Sequence, residues 1–259
     1  MMATLNSPPL LTLVRQMFIV LAFTLVAVAQ ADEAQQKIFE ARARTEFQRA
    51  LNRYQSDSQN ATNVWEFAAA VFDVAEYSTN STERAAFANQ GIAASRSLVA
   101  RNPDLAAGHF YLAMNLGQLA RTRTLGALSL VKEMEREFKA AGDLDPEFDH
   151  AGPERNLGLL YRDAPGWPVS IGNPSKSLSM LRQSVKLAPQ YPGNRLHLIE
   201  SYIHWKELDS ARRELRALDA IWPTARINLT GEKWEPSWVE WTTRRAAARK
   251  LLEPDAGSD

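Results

Sequence analysis

The chain has 259 residues, 45% of them apolar and 23% charged, which is enough for one large domain or two small ones with a buried core. Thirty basic side chains balance thirty acidic ones, and a nucleic-acid partner would need a surplus of Lys and Arg. The absence of cysteine excludes disulfides, thiol catalysis and Cys-ligated zinc, and twelve glycines with thirteen prolines are too few for a loop-rich all-β protein.

Residues 1–31 read as a secretory signal peptide. Arg15 is the one charge before Met17, an uncharged run extends from Met17 to Ala29, and small residues follow at Ala27, Ala29 and Ala31. The alternative is a membrane anchor, but a span takes about 20 apolar residues and this run is shorter. The expected product is exported, periplasmic, and without a membrane span after cleavage.

From Asp32 the hydrophobic spacing is helical, and no stretch alternates with period two. Helices are predicted over Asp32–Tyr54, Asn63–Tyr77, Ser81–Arg101, Leu105–Arg121, Leu125–Ala141, Pro153–Arg162, Pro174–Leu187, Asn194–Lys206, Ser210–Ile221 and Ser237–Leu252. A capping residue precedes Ser81, and Asn173-Pro174 is an N-cap followed by a first-turn proline. Residues 32–252 form the helical domain, and 253–259 are expected to be a disordered tail.

Prolines 103, 146, 189 and 223 are spaced by 43, 43 and 34 residues, and the last interval is the tetratricopeptide period. Twelve residues before them stand Gly91, Met134, Ser177 and Ala211, mostly small, as close helix crossing demands. Each proline is expected to end a helical hairpin. Leu157-Gly158-x2-Tyr161 matches a first-helix signature. The longer intervals place insertions near Thr122–Leu130 and at the loop Asp163–Gly172. The fold class predicted is all-α: tetratricopeptide-like hairpin repeats forming an α-solenoid with a C-terminal capping helix. An irregular helical bundle is the alternative.

Three segments resemble the T component of tripartite ATP-independent periplasmic (TRAP) transporters. They are Gln118–Gly126, Leu157–Pro168 with its Tyr-Arg-Asp-Ala-Pro-Gly-Trp-Pro run, and Leu187–Pro192. The resemblance covers roughly Ser81 to Leu252. It implies an exported helical-repeat protein associated with a periplasmic solute-binding protein. Members can be lipoproteins, and this chain has no cysteine to carry the lipid.

Catalytic motifs are missing: no G-x-S-x-G, phosphate loop or dinucleotide fingerprint is present. No cofactor is expected. His197, Glu200 and His204 share a helical face, and Asp143, Asp145, Glu147, Asp149 and Glu154 fall on a calcium-loop frame. The first set reads better as a groove face. In the second, Phe148 stands where the loop wants Gly, so an inter-repeat turn is the better reading. No metal is expected.

The concave groove is the default binding surface of such a stack. Counted from the repeat frame, its residues are Phe110, Met114 and Gln118, then Arg155, Leu159, Arg162 and Asp163, then Leu196, Glu200, Ile203 and His204. This mixture suits a peptide segment or a small organic acid; the alternative is that the N-terminal helices or the insertions fill the groove. Trp238 and Trp241 are expected in the capping helix. Trp167, between Pro165 and Pro168, either packs its loop onto the stack, the favoured expectation, or faces a partner. The reading is a non-enzymatic, exported protein that binds a periplasmic solute-binding protein or other envelope protein, a small organic acid, or both. A general envelope scaffold is the rival, and a homo-oligomer is left open.

Overall fold

The computed structural model describes residues 33–123 and 126–253. The leader, all but the first residue of the tail, and part of the first insertion lie outside the described residues. The elements are α1 (Glu33–Ser56), α2 (Ala61–Tyr77), α3 (Ser81–Arg101), α4 (Ala106–Ala120), α5 (Ala127–Leu144), α6 (Phe148–Asp163), α7 (Pro174–Leu187), α8 (Pro192–His204), α9 (Leu208–Asn228), a 3-10 turn at Glu232–Trp234, and α10 (Glu235–Leu252). The architecture is the expected all-α stack.

The helices pair as antiparallel hairpins: α2 with α3, α4 with α5, α6 with α7, α8 with α9. The first helices α2, α4, α6 and α8 pack in sequence and form the inner layer; α10 packs on α8 and α9 and takes the next inner place. Buried Trp238 and Trp241 close the last core there, with Leu196, Ile199, Leu215 and Leu218 beneath them. This is the cover that the open end of a solenoid requires.

Local chemistry sets the helix starts. The side chain of Asn80 accepts from Glu83 N at 2.7 Å, and that of Asn173 accepts from Lys176 N at 2.9 Å ahead of Pro174. Small residues set the crossings. Ser177 Oγ donates to Gly158 O at 2.6 Å, and a Cβ at Gly158 would lie 2.6 Å from Leu181 Cγ. Prolines 103, 146 and 189 follow α3, α5 and α7 as expected.

Pro223 does not end its helix. It lies inside α9, which continues to Asn228. A proline removes one N–H and crowds the preceding turn. Here the segment beyond it is held by distant contacts: Ala225 is fully buried, and Trp238 Nε1 donates to Leu229 O at 2.6 Å.

The start of α6 departs further from the expected inter-repeat turn. Asp149, His150 and Ala151 have φ of 49°, 56° and 61°, one turn of left-handed backbone in three non-glycine residues. Such residues cost roughly 1–2 kcal/mol each. Arg155 holds the turn from inside, donating to Asp149 Oδ2 at 2.5 Å and to the carbonyls of Asp149 and His150 at 3.2 Å. The His150 ring stacks on Tyr191 at 4.5 Å.

Candidate functional site

The inner helices enclose a cavity of about 890 Å³. Phe72 on α2, Met114 on α4 and Leu159 on α6 line it, and Val131 and Met134 of α5 also reach it. The chain before the first hairpin completes the wall: α1 sends in Phe39, only 5% exposed, beside Lys37 and Glu40. Pro236 and Val239 of α10 form the remaining side. Arg42 of α1 pairs with Glu235 of α10, so the two ends of the stack meet. The groove is therefore a lumen, partly filled by the N-terminal helix, and large enough for a small molecule.

Ionisable groups on this surface are tied to one another. Glu76 accepts from Gln118 Nε2 at 2.6 Å and from Arg121 Nη1 at 2.8 and 2.9 Å. Arg162 is held by Asp163 at 2.6 and 3.1 Å and donates to Ser201 Oγ at 3.2 Å. His197 Nδ1 accepts from Arg244 Nη2 at 2.9 Å, an acceptor role that keeps the ring neutral rather than paired with Glu200. Burial, then the Arg244, Arg162 and Arg155 charges, hold His197 well below the usual imidazole range. Arg244 is itself buried, which lowers its pKa, but Glu200 and Glu240 outweigh that and keep the guanidinium charged.

Asp73, one turn before Tyr77, is exposed on α2, although protein mass crowds around it. Poor hydration there, then the nearby carboxylates of Glu76 and Asp149, push its pKa up to about 7. The same poor hydration, with Asp73 and Glu76 adding to it, raises Tyr77 to about 12.

The structure sorts the sequence-derived groove residues. Met114, Gln118, Leu159, Arg162 and Asp163 line the lumen. Phe110 does not: it is 1% exposed and packs edge-on against Phe138 at 5.8 Å. Arg155 does not either, because its guanidinium is buried and committed to the left-handed turn and to Asn194 Oδ1 at 3.0 Å. Leu196 is fully buried core. Glu200 is held by Arg244, and His204 is exposed at the end of α8 against the Trp205 ring. On α8 it is His197 that faces the lumen.

One geometric reason covers most misses. Rows taken every fourth residue drift by about 40° per step, because a helix advances about 100° per residue. From Gln118 back to Phe110 the row therefore leaves the inner face. Phe72, Glu76, Arg84 and Arg121 were not identified; extending the repeat frame to α2 would have found the first two.

The packing expectation for Trp167 is overturned. Its side chain is 88% exposed. The loop is fixed without it: Gly172 N donates to Pro165 O at 2.8 Å, Asn173 N to Tyr161 O at 2.8 Å, and Ile171 packs with Ala164 against Ala127 and Val131. A Cβ at Gly172 would lie 2.0 Å from Ala164 O, so only glycine fits.

The calcium-frame carboxylates serve turns and pairs: Asp145 Oδ1 accepts from Glu147 N at 3.1 Å, and Asp149 pairs with Arg155. Among the described residues, no three His, Asp or Glu side chains come together as a metal ion would need. No helix among them is long and apolar enough to cross a membrane.

The chain resembles known proteins at two levels. A family model described as regulator of microtubule dynamics protein 1-3 matches residues 27–149, a little under half of the chain. No curated protein matches it. Among solved structures, a thermophilic TPR (tetratricopeptide repeat) protein of Thermus thermophilus, TTC0263, superposes with a TM-score of 0.60 at 17% identity, over 93% of this chain and 98% of its own. A structure of MamA gives 0.49 at 11% identity, over 74% and 96%. A further MamA structure gives 0.49 at 11% identity, over 82% and 98%. The first of these likenesses establishes the tetratricopeptide-like fold; none carries this chain into the TRAP T-component family.

Proposed function

We propose that this is a non-catalytic helical-repeat binding protein that takes an apolar-bodied guest into its lumen. The observation that carries the reading is the cavity of about 890 Å³, walled by Phe39, Phe72, Met114, Val131, Met134 and Leu159, inside a fold whose inner face is a binding surface. Its charged groups, Arg84 apart, form pairs with each other rather than a nucleophile with a base. Titrating the purified protein with the uncharged dye Nile red tests it. Wild type should enhance the emission at one site per chain, and Leu159→Trp, which fills the lumen, should abolish that while keeping the helical circular dichroism. Equal enhancement by the variant would refute the lumen as the site.

We infer further that the protein is exported and works beside a solute-transport system, delivering or sheltering its guest for a solute-binding partner. The leader-like segment 1–31 and the three segments that resemble TRAP T components support this. So does the exposed Trp167 on its rigid loop, since indoles are favoured anchors at interfaces. Crosslinking in the periplasm of an expressing bacterium tests it: recovery of a solute-binding protein upholds the reading, and exclusive recovery of assembly factors replaces it with the scaffold reading.

A further inference from the structure

One corner of the lumen carries positive charge without matching acid. Arg84 of α3 lines it and forms no ion pair among the described residues; its Nε donates to Ala75 O at 3.1 Å and its Nη2 to Ser78 O at 2.6 Å. Nη1 makes no bond there. Arg121, which caps the C-terminus of α4, lies alongside, with an 11% exposed side chain. Among the described residues all its hydrogen bonds, to Glu76 and Gln118, leave from Nη1, with none from Nη2 or Nε. Glu76, paired with Arg121, is thus the acid whose charge also acts on Arg84. Burial, then the Arg121 charge, lowers the Arg84 pKa, as expected for a cation without its own counter-ion. Phe72, Met114 and Met134 are apolar members of the same lining.

We propose that the guest is an amphipathic monoanion: its carboxylate sits between Arg84 and Arg121, and its hydrocarbon body lies along Phe72, Met114 and Met134. This deepens the lumen reading and rests on it. Guanidinium forks match carboxylate geometry and give charge-assisted bonds stronger than neutral ones. A carboxylate entering an apolar cavity without such donors would lose its hydration with nothing in return. An uncharged alcohol of the same chain length should therefore bind better than the acid unless these arginines act.

Displacement of Nile red by decanoate and by 1-decanol, at about pH 8 and below micelle formation, tests the subsite. Wild type should release the dye at roughly tenfold lower decanoate than decanol, the scale of one charge-assisted bond. Arg84→Gln and Arg121→Gln should each remove that preference and leave decanol displacement unchanged. Glu76→Gln, which withdraws the competing carboxylate, should strengthen decanoate binding several-fold. Equal displacement by acid and alcohol in wild type overturns the anion subsite while leaving the lumen as an apolar site. Failure of wild type to bind Nile red at all removes the lumen reading and the subsite together. The wild-type comparison decides the matter even where an arginine variant folds poorly.

Discussion

Arg42 on α1 and Glu235 at the start of α10 form an ion pair that bridges the N-terminal helix and the capping helix. The two halves of α1 differ in anchorage. Its C-terminal half is packed on the stack: Tyr54 stacks on Phe67 at 4.7 Å, Phe47 meets Phe87 at 5.4 Å, and Arg53 pairs with Glu66 at 3.0 Å. Its N-terminal half places Phe39 in the lumen and Arg42 on Glu235. That half of α1 lies across the lumen, joined to the far wall by an exposed pair and to α3 by Arg44 on Glu83 at 3.0 Å, and we read it as a lid.

Arg42→Glu places like charges together, with Glu232 also nearby. The variant should melt with wild type, because exposed pairs contribute little to stability, but Nile red should enter it faster in stopped-flow mixing. Combining it with Glu235→Arg should restore the slower entry. Unchanged entry in the single variant would mean that the lid does not gate the lumen.

Arg155 is a structural cation. Arg155→Met leaves Asp149, the left-handed carbonyls and Asn194 without their donor, a loss on the order of 3 kcal/mol for a largely buried charged donor. Thermal denaturation should show the loss, and dye affinity at a temperature where the variant is folded should not change. A stable variant with weakened binding would return Arg155 to the lumen.

Much of this fold was legible in the sequence because its signals are local. Asn80 and Asn173-Pro174 start helices through bonds spanning three residues. Prolines 103, 146 and 189 mark hairpin ends, and Gly91, Ser177 and Ala211 mark crossings. Pro223 misled because Trp238, fifteen positions on, supplies a contact that no local rule contains. The lumen was half legible for the same reason. Met114, Gln118, Leu159, Arg162 and Asp163 follow from the repeat frame, whereas Phe39, Val239 and the Arg42–Glu235 pair exist only once the ends of the chain meet.

Trp167→Ala should leave the melting temperature within experimental error, as exposed substitutions cost about 0.5 kcal/mol or less. If the partner proposed above exists, its capture should fall sharply in a crosslinking assay at matched protein level. A substantial drop in melting temperature would instead show that the indole packs in solution.

Asp73 gives a pH signature. Its folded pKa of about 7 exceeds the ordinary 3.8, so between these values the native state holds more proton than the unfolded one. Stability contributed by the protonated form is complete below 3.8 and is lost as pH rises through 7. Asp73→Asn should therefore melt above wild type once the pH exceeds 7, and the gap should close as pH falls toward 3.8. Parallel melting curves across that range would show that Asp73 is well hydrated.

Asn194 makes the third hairpin unlike a spare part. Its Nδ2 donates to His150 O and to Ser184 O, both at 2.9 Å, while its Oδ1 accepts from Arg155. One amide on α8 thus reads the turn at the start of α6 and the C-terminal end of α7. Tandem arrays commonly change length when a unit is duplicated or dropped between equivalent neighbours. Excising α6–α7 here would strip Asn194 of every one of these partners. Inserting a copied hairpin after α7 would hand it a neighbour lacking the inverted turn. The length of this array is therefore locked by its own irregularity, and descendants of the chain are expected to diverge by substitution within a fixed register rather than by gaining or losing units.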